Sequence, residues 1–278
     1  MSVAPVLPEK VVVLRTGGLG DFVLTIPLLV ALLENECEVS VLTRPSYIAL
    51  MGDFNENLSF FDADEMFYSK GSREFEKTFE DAVVLSFWKD SDGFLRERIR
   101  GLGGQRFIAM ESRPNQAPHV VEKMFQSAGI QWEYGYLNRS WLGAKNLSGD
   151  CLWLHPGSGS STKNAPLSWF LNRIDQWLAE GHGASVVVSF GEADAEVEKS
   201  FLRNCGNLPF EIRRPDSLSA LRDELLTRAA LFVGNDSGPS HLASALGVPT
   251  EVVFTSTNPE IWRPLGRSVT VIEITDFD

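Results

Sequence analysis

The sequence predicts an α/β protein with two parallel sheets, and three observations carry that reading. Strand-like and helix-like runs alternate along the whole chain, the pattern of repeated βαβ units. The apolar runs Val11-Val12-Val13-Leu14 and Leu231-Phe232-Val233 are continuous rather than alternating, as strands buried on both faces require. Periodicity is lost once, over residues 134–150, which reads as a connection between two halves. Domains of residues 1–140 and 141–278 follow. Two such halves would face one another across a central cleft between the carboxyl ends of their strands, where doubly wound folds bind ligands.

In the first half, strands are predicted over residues 10–14, 38–42, 82–86 and 107–109. Helices are predicted over 21–33, 45–51, 94–99 and 119–127. The first strand runs into Arg15-Thr16-Gly17-Gly18-Leu19-Gly20-Asp21, whose glycines let a backbone approach a ligand closely. Its spacing is neither the G-x-G-x-x-G dinucleotide fingerprint nor a P-loop. Lys89, Arg96, Arg98, Arg100, Arg106 and Arg113 gather positive charge in a short span. They read either as a solvated face balanced by Asp90, Asp92 and Glu97 or as a guanidinium-lined site for phosphates or acidic sugars.

The second half opens with a strand over 151–155, followed by the loop His155-Pro156-Gly157-Ser158-Gly159-Ser160-Ser161-Thr162-Lys163. Its hydroxyls can donate to phosphate oxygens and Lys163 adds a mobile cation, although a solvated surface loop would look the same. Helix 167–180, strand 184–190, helix 193–203 and helix 219–230 come next. Strand 231–233 then leads through Gly234-Asn235-Asp236-Ser237 into helix 239–246, which stops at Gly247. Ser237 stands where an N-cap is expected and Pro239 suits the first turn, so free amides and the positive dipole end would offer an anion site. Strands over 250–254 and 269–274 close the chain.

Composition narrows the function. A chain of 278 residues with 44% hydrophobic and 22% charged content is that of a soluble globular protein. Its net charge of −12 argues against a nucleic-acid partner. The first ten residues carry no apolar core of a signal peptide, and residues 22–33 are too short to span a bilayer. Cys37, Cys151 and Cys205 show no metal or redox spacing, which fits reduced thiols in a cytosol. Asp62-Ala63-Asp64 reads as a solvated acidic loop rather than a metal-diphosphate pair.

Three segments together resemble glycosyltransferase family 9, which includes the ADP-heptose:lipopolysaccharide heptosyltransferases. They are R-T-G-G-L-G-D-F-V-L-T-I-P at residues 15–27, the H-P-G-S-G…K…P loop at 155–166, and G-N-D-S-G-P-S-H-L-A-S-A-L-G-V-P at 234–249. The resemblance implies two facing Rossmann-like domains of the GT-B type, the first binding the acceptor and the second a nucleotide sugar. It implies inversion at the anomeric carbon, no cofactor beyond the nucleotide-sugar donor, and no obligatory metal. The acceptor would be a glycolipid or oligosaccharide, met in the cytoplasm or at the inner membrane surface.

The reaction needs a base for the acceptor hydroxyl and fixed donors for the departing diphosphate. The resemblance places the base at Asp21, though an ordinary helix cap would also suit that position, and the diphosphate-binding cation at Lys163. Gly18, Gly20, Ser158, Glu192, Asp236, Ser237, Gly238 and His241 would bind the donor, and Arg96, Arg98 and Arg100 the acceptor. Asn164-Ala165-Pro166 departs from the family, which commonly has an aromatic before the proline, and the long terminal helix expected after Ile274 does not follow. A different nucleotide sugar, or a binding protein without catalysis, are the alternatives. A nicotinamide oxidoreductase is disfavoured by the missing fingerprint.

Overall fold

The structure is a computed structural model describing residues 7–52, 54, 57–67, 72–143, 149–181 and 185–274. The chain forms two compact units, one of Met1–Gly18 with Thr25–Glu133, the other of Leu19–Leu24 with Tyr134–Asp278. In chain order the first half holds β1 (Lys10–Leu14), α1 (Leu19–Val23), α2 (Ile26–Glu34), β2 (Glu38–Thr43), α3 (Pro45–Met51) and β3 (Leu58–Asp62). It continues with α4 (Arg73–Phe79), β4 (Val83–Ser86), α5 (Phe94–Gly101), β5 (Arg106–Ala109) and α6 (Val120–Ala128). Of these, only α1 belongs to the second unit.

The sheet of the first unit has the order β3-β2-β1-β4-β5, all parallel. Its central strand β1 is buried from Val11 to Leu14, as the unbroken apolar run requires. Against one face pack Phe75 and Phe79 of α4 with Leu95 and Ile99 of α5. Burying each such side chain contributes about 1.5–3 kcal/mol.

The sequence predicts one helix over 21–33, but the structure has two, α1 and α2, separated at Leu24 and Thr25. Pro27 is the physical reason. It has no N–H to bond the Val23 carbonyl, and its ring would clash there, so it belongs in the first turn of a new helix.

The second half holds β6 (Cys151–His155), α7 (Leu167–Ala179), β7 (Val186–Ser189), α8 (Ala195–Asn204), β8 (Glu211–Arg213) and α9 (Leu218–Arg228). Then come β9 (Ala229–Asn235), α10 (Gly238–Leu246), β10 (Thr250–Phe254), α11 (Pro259–Trp262) and β11 (Val269–Glu273). Its parallel sheet has the order β11-β10-β9-β6-β7-β8. Phe170, Ile174 and Phe201 are fully buried against Leu152, Leu154 and Val188 of the sheet.

Residues 134–150, expected as a connection, begin inside the second unit. A 3₁₀ turn spans Tyr134–Asn138, Trp141 is buried, and the Leu142 amide donates to the Ala245 carbonyl at 2.8 Å. Residues 144–148 of that stretch, and Ala184 at the head of the predicted 184–190 strand, lie outside the described residues. Strands β3 and β8 were not predicted. Both are sheet edges with half-exposed residues, so neither carries the continuous apolar run that betrays a central strand. Among the described residues no helix is long and apolar enough to cross a membrane.

Candidate functional site

In the second unit the strand order reverses between β6 and β9, and the crevice beyond such a reversal is where doubly wound sheets place ligands. The loops leaving those two strands are the ones the sequence singled out. One carries Ser158 and Lys163, the other Asp236, Ser237 and Gly238.

Asp236 is their meeting point. Its Oδ2 accepts from Lys163 Nζ at 2.7 Å and from Thr257 Oγ1 at 2.7 Å, while Oδ1 faces His241 Nε2 at 3.4 Å. Burial pushes the carboxyl up, but the His241 hydrogen bond and the Lys163 ammonium outweigh it and hold Asp236 well below the usual carboxylate range. The Nε2–H tautomer of His241 fits, because its buried Nδ1 has no hydrogen-bond partner among the described residues. With both oxygens engaged, Asp236 is an anchor for Lys163 rather than a base. The Lys163 side chain stays 32% exposed, which leaves its remaining N–H donors open to a ligand.

Above this cluster starts α10. Ser237 occupies the N-cap position, yet its hydroxyl makes no capping bond and instead lies 3.4 Å from Ser240 Oγ. The first-turn amides are therefore not consumed by the cap, and the helix end can receive an anion.

The Lys163 loop is held at both ends by one side chain that the sequence reading passed over. Asn235, fully buried, donates to the Pro156 carbonyl at 2.8 Å and accepts from the Ala165 amide at 2.9 Å. Within the loop, Ser158 Oγ lies 2.6 Å from Asn164 Oδ1 and 2.7 Å from the Ser160 carbonyl, so it shapes the loop. Thr255 of the strand-end segment donates to the Thr162 carbonyl at 2.9 Å.

A second anchor is Asp194. Its Oδ2 accepts the Gly191 amide at 2.7 Å and lies 3.4 Å from His155 Nε2. Gly157 passes so close that a Cβ there would collide with the Asp194 carboxylate, so only glycine fits. Burial pushes the His155 imidazole below its ordinary value, with the Asp194 charge and the Ser189 contact opposing that shift. Glu192, the acidic residue chosen from sequence, is exposed in the same turn. The missed signal is the G-x-x-D spacing, in which an acid three residues on reaches back to the turn amide.

Asp21 enters the second unit through α1, which packs on α10. Two glycines allow the close approach. A Cβ on Gly238 would sit 2.7 Å from Leu19 Cβ, and one on Gly20 would sit 3.0 Å from His241 Cδ2. Asp21, half-buried, is thus one residue from the contact with His241, which in turn pairs with Asp236. Gly18 is exposed and ends the preceding segment of the first unit.

The three arginines of α5 do not all share one face. Arg96 stacks over Phe107 with 5.1 Å from guanidinium to ring centroid, and Arg100 pairs with Glu97 at 2.7 Å. Arg98, two residues from each, leaves α5 on another side.

Next to Thr257 a cavity of about 510 Å³ opens at the ends of β10 and β11. Thr255, Ser256, Asn258, Glu260 and Glu273 line it together with the apolar Phe254, Pro259 and Ile274, a mixed surface.

Two doubly wound parallel sheets, the second with a lysine, a buried aspartate and a helix terminus at its reversal of strand order, define a protein of the GT-B fold class. Residues 113–277 match the family model described as glycosyltransferase family 9 (heptosyltransferase), and the chain belongs to that family. A Haemophilus influenzae protein provisionally named a glycosyltransferase is 28% identical over 166 residues. That match spans 57% of this chain and 46% of the relative, less than half its length. Among solved structures, a family 9 glycosyl transferase of Veillonella parvula aligns with TM-score 0.71 and 17% identity over 98% of this chain and 88% of its own. E. coli ADP-heptose LPS heptosyltransferase II gives 0.68 and 17% over 95% and 90%. E. coli heptosyltransferase WaaC with ADP gives 0.66 and 16% over 96% and 93%. At these identities the solved structures share the fold.

Proposed function

We propose that this chain is an inverting glycosyltransferase that moves a heptose from ADP-heptose to a hydroxyl of a lipopolysaccharide core or related surface glycan. The observation that carries the reading is the joining of Lys163, Asp236, His241 and the start of α10 at one switch point; Asp21 lies on α1, the helix packed on α10. The names of the two E. coli structures favour ADP-heptose as donor.

In this reading Asp21 takes the proton from the acceptor hydroxyl as its oxygen bonds to the anomeric carbon. The carbon–oxygen bond to the diphosphate breaks, and the electron pair leaves with ADP. Lys163 and the first-turn amides of α10 neutralise the departing charge, a role fixed donors fill without reorganising. No metal is invoked, so EDTA leaves the rate unchanged. The polar side chains of the cavity beside Thr257 receive hydroxyls of the donor. The protein works in the cytoplasm, at the inner membrane face when its acceptor is a glycolipid.

The test combines transfer from ADP-heptose with thermal stabilisation by ADP, UDP, GDP and CDP. ADP should stabilise the protein, and Lys163→Ala should weaken that binding by about tenfold or more, the worth of a hydrogen bond to a charged group. Stabilisation by another nucleotide alone would reassign the donor. Binding without turnover would leave a nucleotide-sugar-binding protein, and no effect of any nucleotide would overturn the reading.

A further inference from the structure

We propose that the first unit holds a subsite for an uncharged sugar residue, packed on the aromatic pair Phe67 and Trp88. The cavity, about 350 Å³, lies where doubly wound sheets bind ligands, at the carboxyl ends of the strands. Thr16 follows β1, Arg44 follows β2, Asp62 ends β3 and Trp88 follows β4.

The two rings are nearly parallel, 13° apart in plane with centroids 5.9 Å from each other, and Phe67 is 63% exposed. A large aromatic left in water gains by being covered, and the C–H face of a pyranose is an apolar surface that can cover it. Trp88 Nε1 is buried, without a hydrogen-bond partner among the described residues, so the ring rather than its N–H is what Trp88 offers the cavity. The pair also borders a second space of about 190 Å³, but there Asp90 and Asp92 are engaged in accepting the Leu95, Arg96 and Phe94 amides that start α5. In the first cavity only Asp62 Oδ1 is seen accepting an amide, that of Asp64 at 3.1 Å, and Asp64 adds a second carboxylate to the lining.

Its charge selects the ligand. Arg44, whose Nε donates to the Thr16 carbonyl at 2.8 Å, is set against two carboxylates, Asp62 and Asp64. A phosphorylated or carboxylated sugar would bring a further negative charge to an already acidic lining, whereas sugar hydroxyls can donate to those carboxylates. The arginines expected to hold an anionic acceptor, Arg96, Arg98 and Arg100, do not line it.

That this sugar is the acceptor's rests on the transferase reading, while its binding does not. The experiment is isothermal titration of the full chain with maltotriose and chitotriose as neutral probes, and with glucose 6-phosphate and tri-galacturonic acid as anionic ones. A neutral trisaccharide should bind saturably and more tightly than either anion. Phe67→Ala, at an exposed position, should weaken it about tenfold, in line with the worth of one aromatic contact. Asp64→Lys should shift preference toward the anionic probes. Saturable binding of no neutral probe, equal or tighter binding of the anions, or indifference to Phe67→Ala would overturn the proposal. ADP titrated in parallel separates the two readings: its failure to bind would sink the transferase and leave the sugar subsite standing.

Discussion

At the strand reversal of the second unit, Asp236 is buried and surrounded by three donors, and the loop beside it is tied down by Asn235 and Asp194. In the first unit, at the carboxyl ends of β1 to β4, the cavity is walled by an exposed phenylalanine and a tryptophan stacked on it. One strand order thus supports two kinds of surface. A pyrophosphate presents the same charges in every donor, so a rigid set of dipoles desolvated in advance suits it. Sugars present hydroxyls and C–H faces in varying arrangements, and an aromatic wall with loosely held acceptors accommodates them.

The contrast can be broken most sharply at Asp21. If the second unit carries the reacting groups, Asp21→Asn lowers turnover by about 10²–10⁴-fold while ADP affinity stays near that of the parent, measured by initial rates and titration. Normal turnover would remove the base assignment. Next in size is Gly238→Ala, whose methyl would sit 2.7 Å from Leu19 Cβ and displace α1 from α10. Misplacement on that scale costs about 10²-fold in rate. Gly159→Ala, with open space around its Cβ, is the matched control in the neighbouring loop and should leave kcat alone.

The smallest effect concerns stability. Because His155 takes its proton less readily when folded, the unfolded chain binds more protons once the pH falls below about 6.5. Stability is therefore full above that value and declines as pH drops through the folded-state pKa. Chemical denaturation between about pH 7 and about pH 5 should show this slope, and His155→Gln should flatten it. Asp236, held low, contributes stability above its ordinary carboxylate pKa and loses it only in stronger acid.

Much of the fold was legible because central parallel strands must be continuously apolar. β1, β6 and β10 coincide with the predicted runs, as does α3. The edge strands β3 and β8 escaped, since half-exposed residues carry no such constraint. Site residues were legible where chemistry forces an unusual residue into a loop, as with Lys163 and Asp236. They were hidden where the role is to hold backbone. Asn235 looked like part of a motif string, and Asp194 was overlooked beside the more exposed Glu192. Phe67 and Trp88 are far apart in sequence and only the returning strands β3 and β4 bring their rings together. Asp62 and Asp64, expected in a solvated loop, line a cavity, the first at the end of β3 and the second in the 3₁₀ turn Ala63–Phe67.

The short excursion of Leu19–Leu24 into the second unit means that this body is not a contiguous piece of polypeptide. A fragment started at Tyr134 would lack the helix that covers Gly238 and would bare the side of α10 next to His241. The second unit is therefore completed by a segment that precedes α2 to α6 in sequence, so it cannot be cut free at Tyr134 and remain whole.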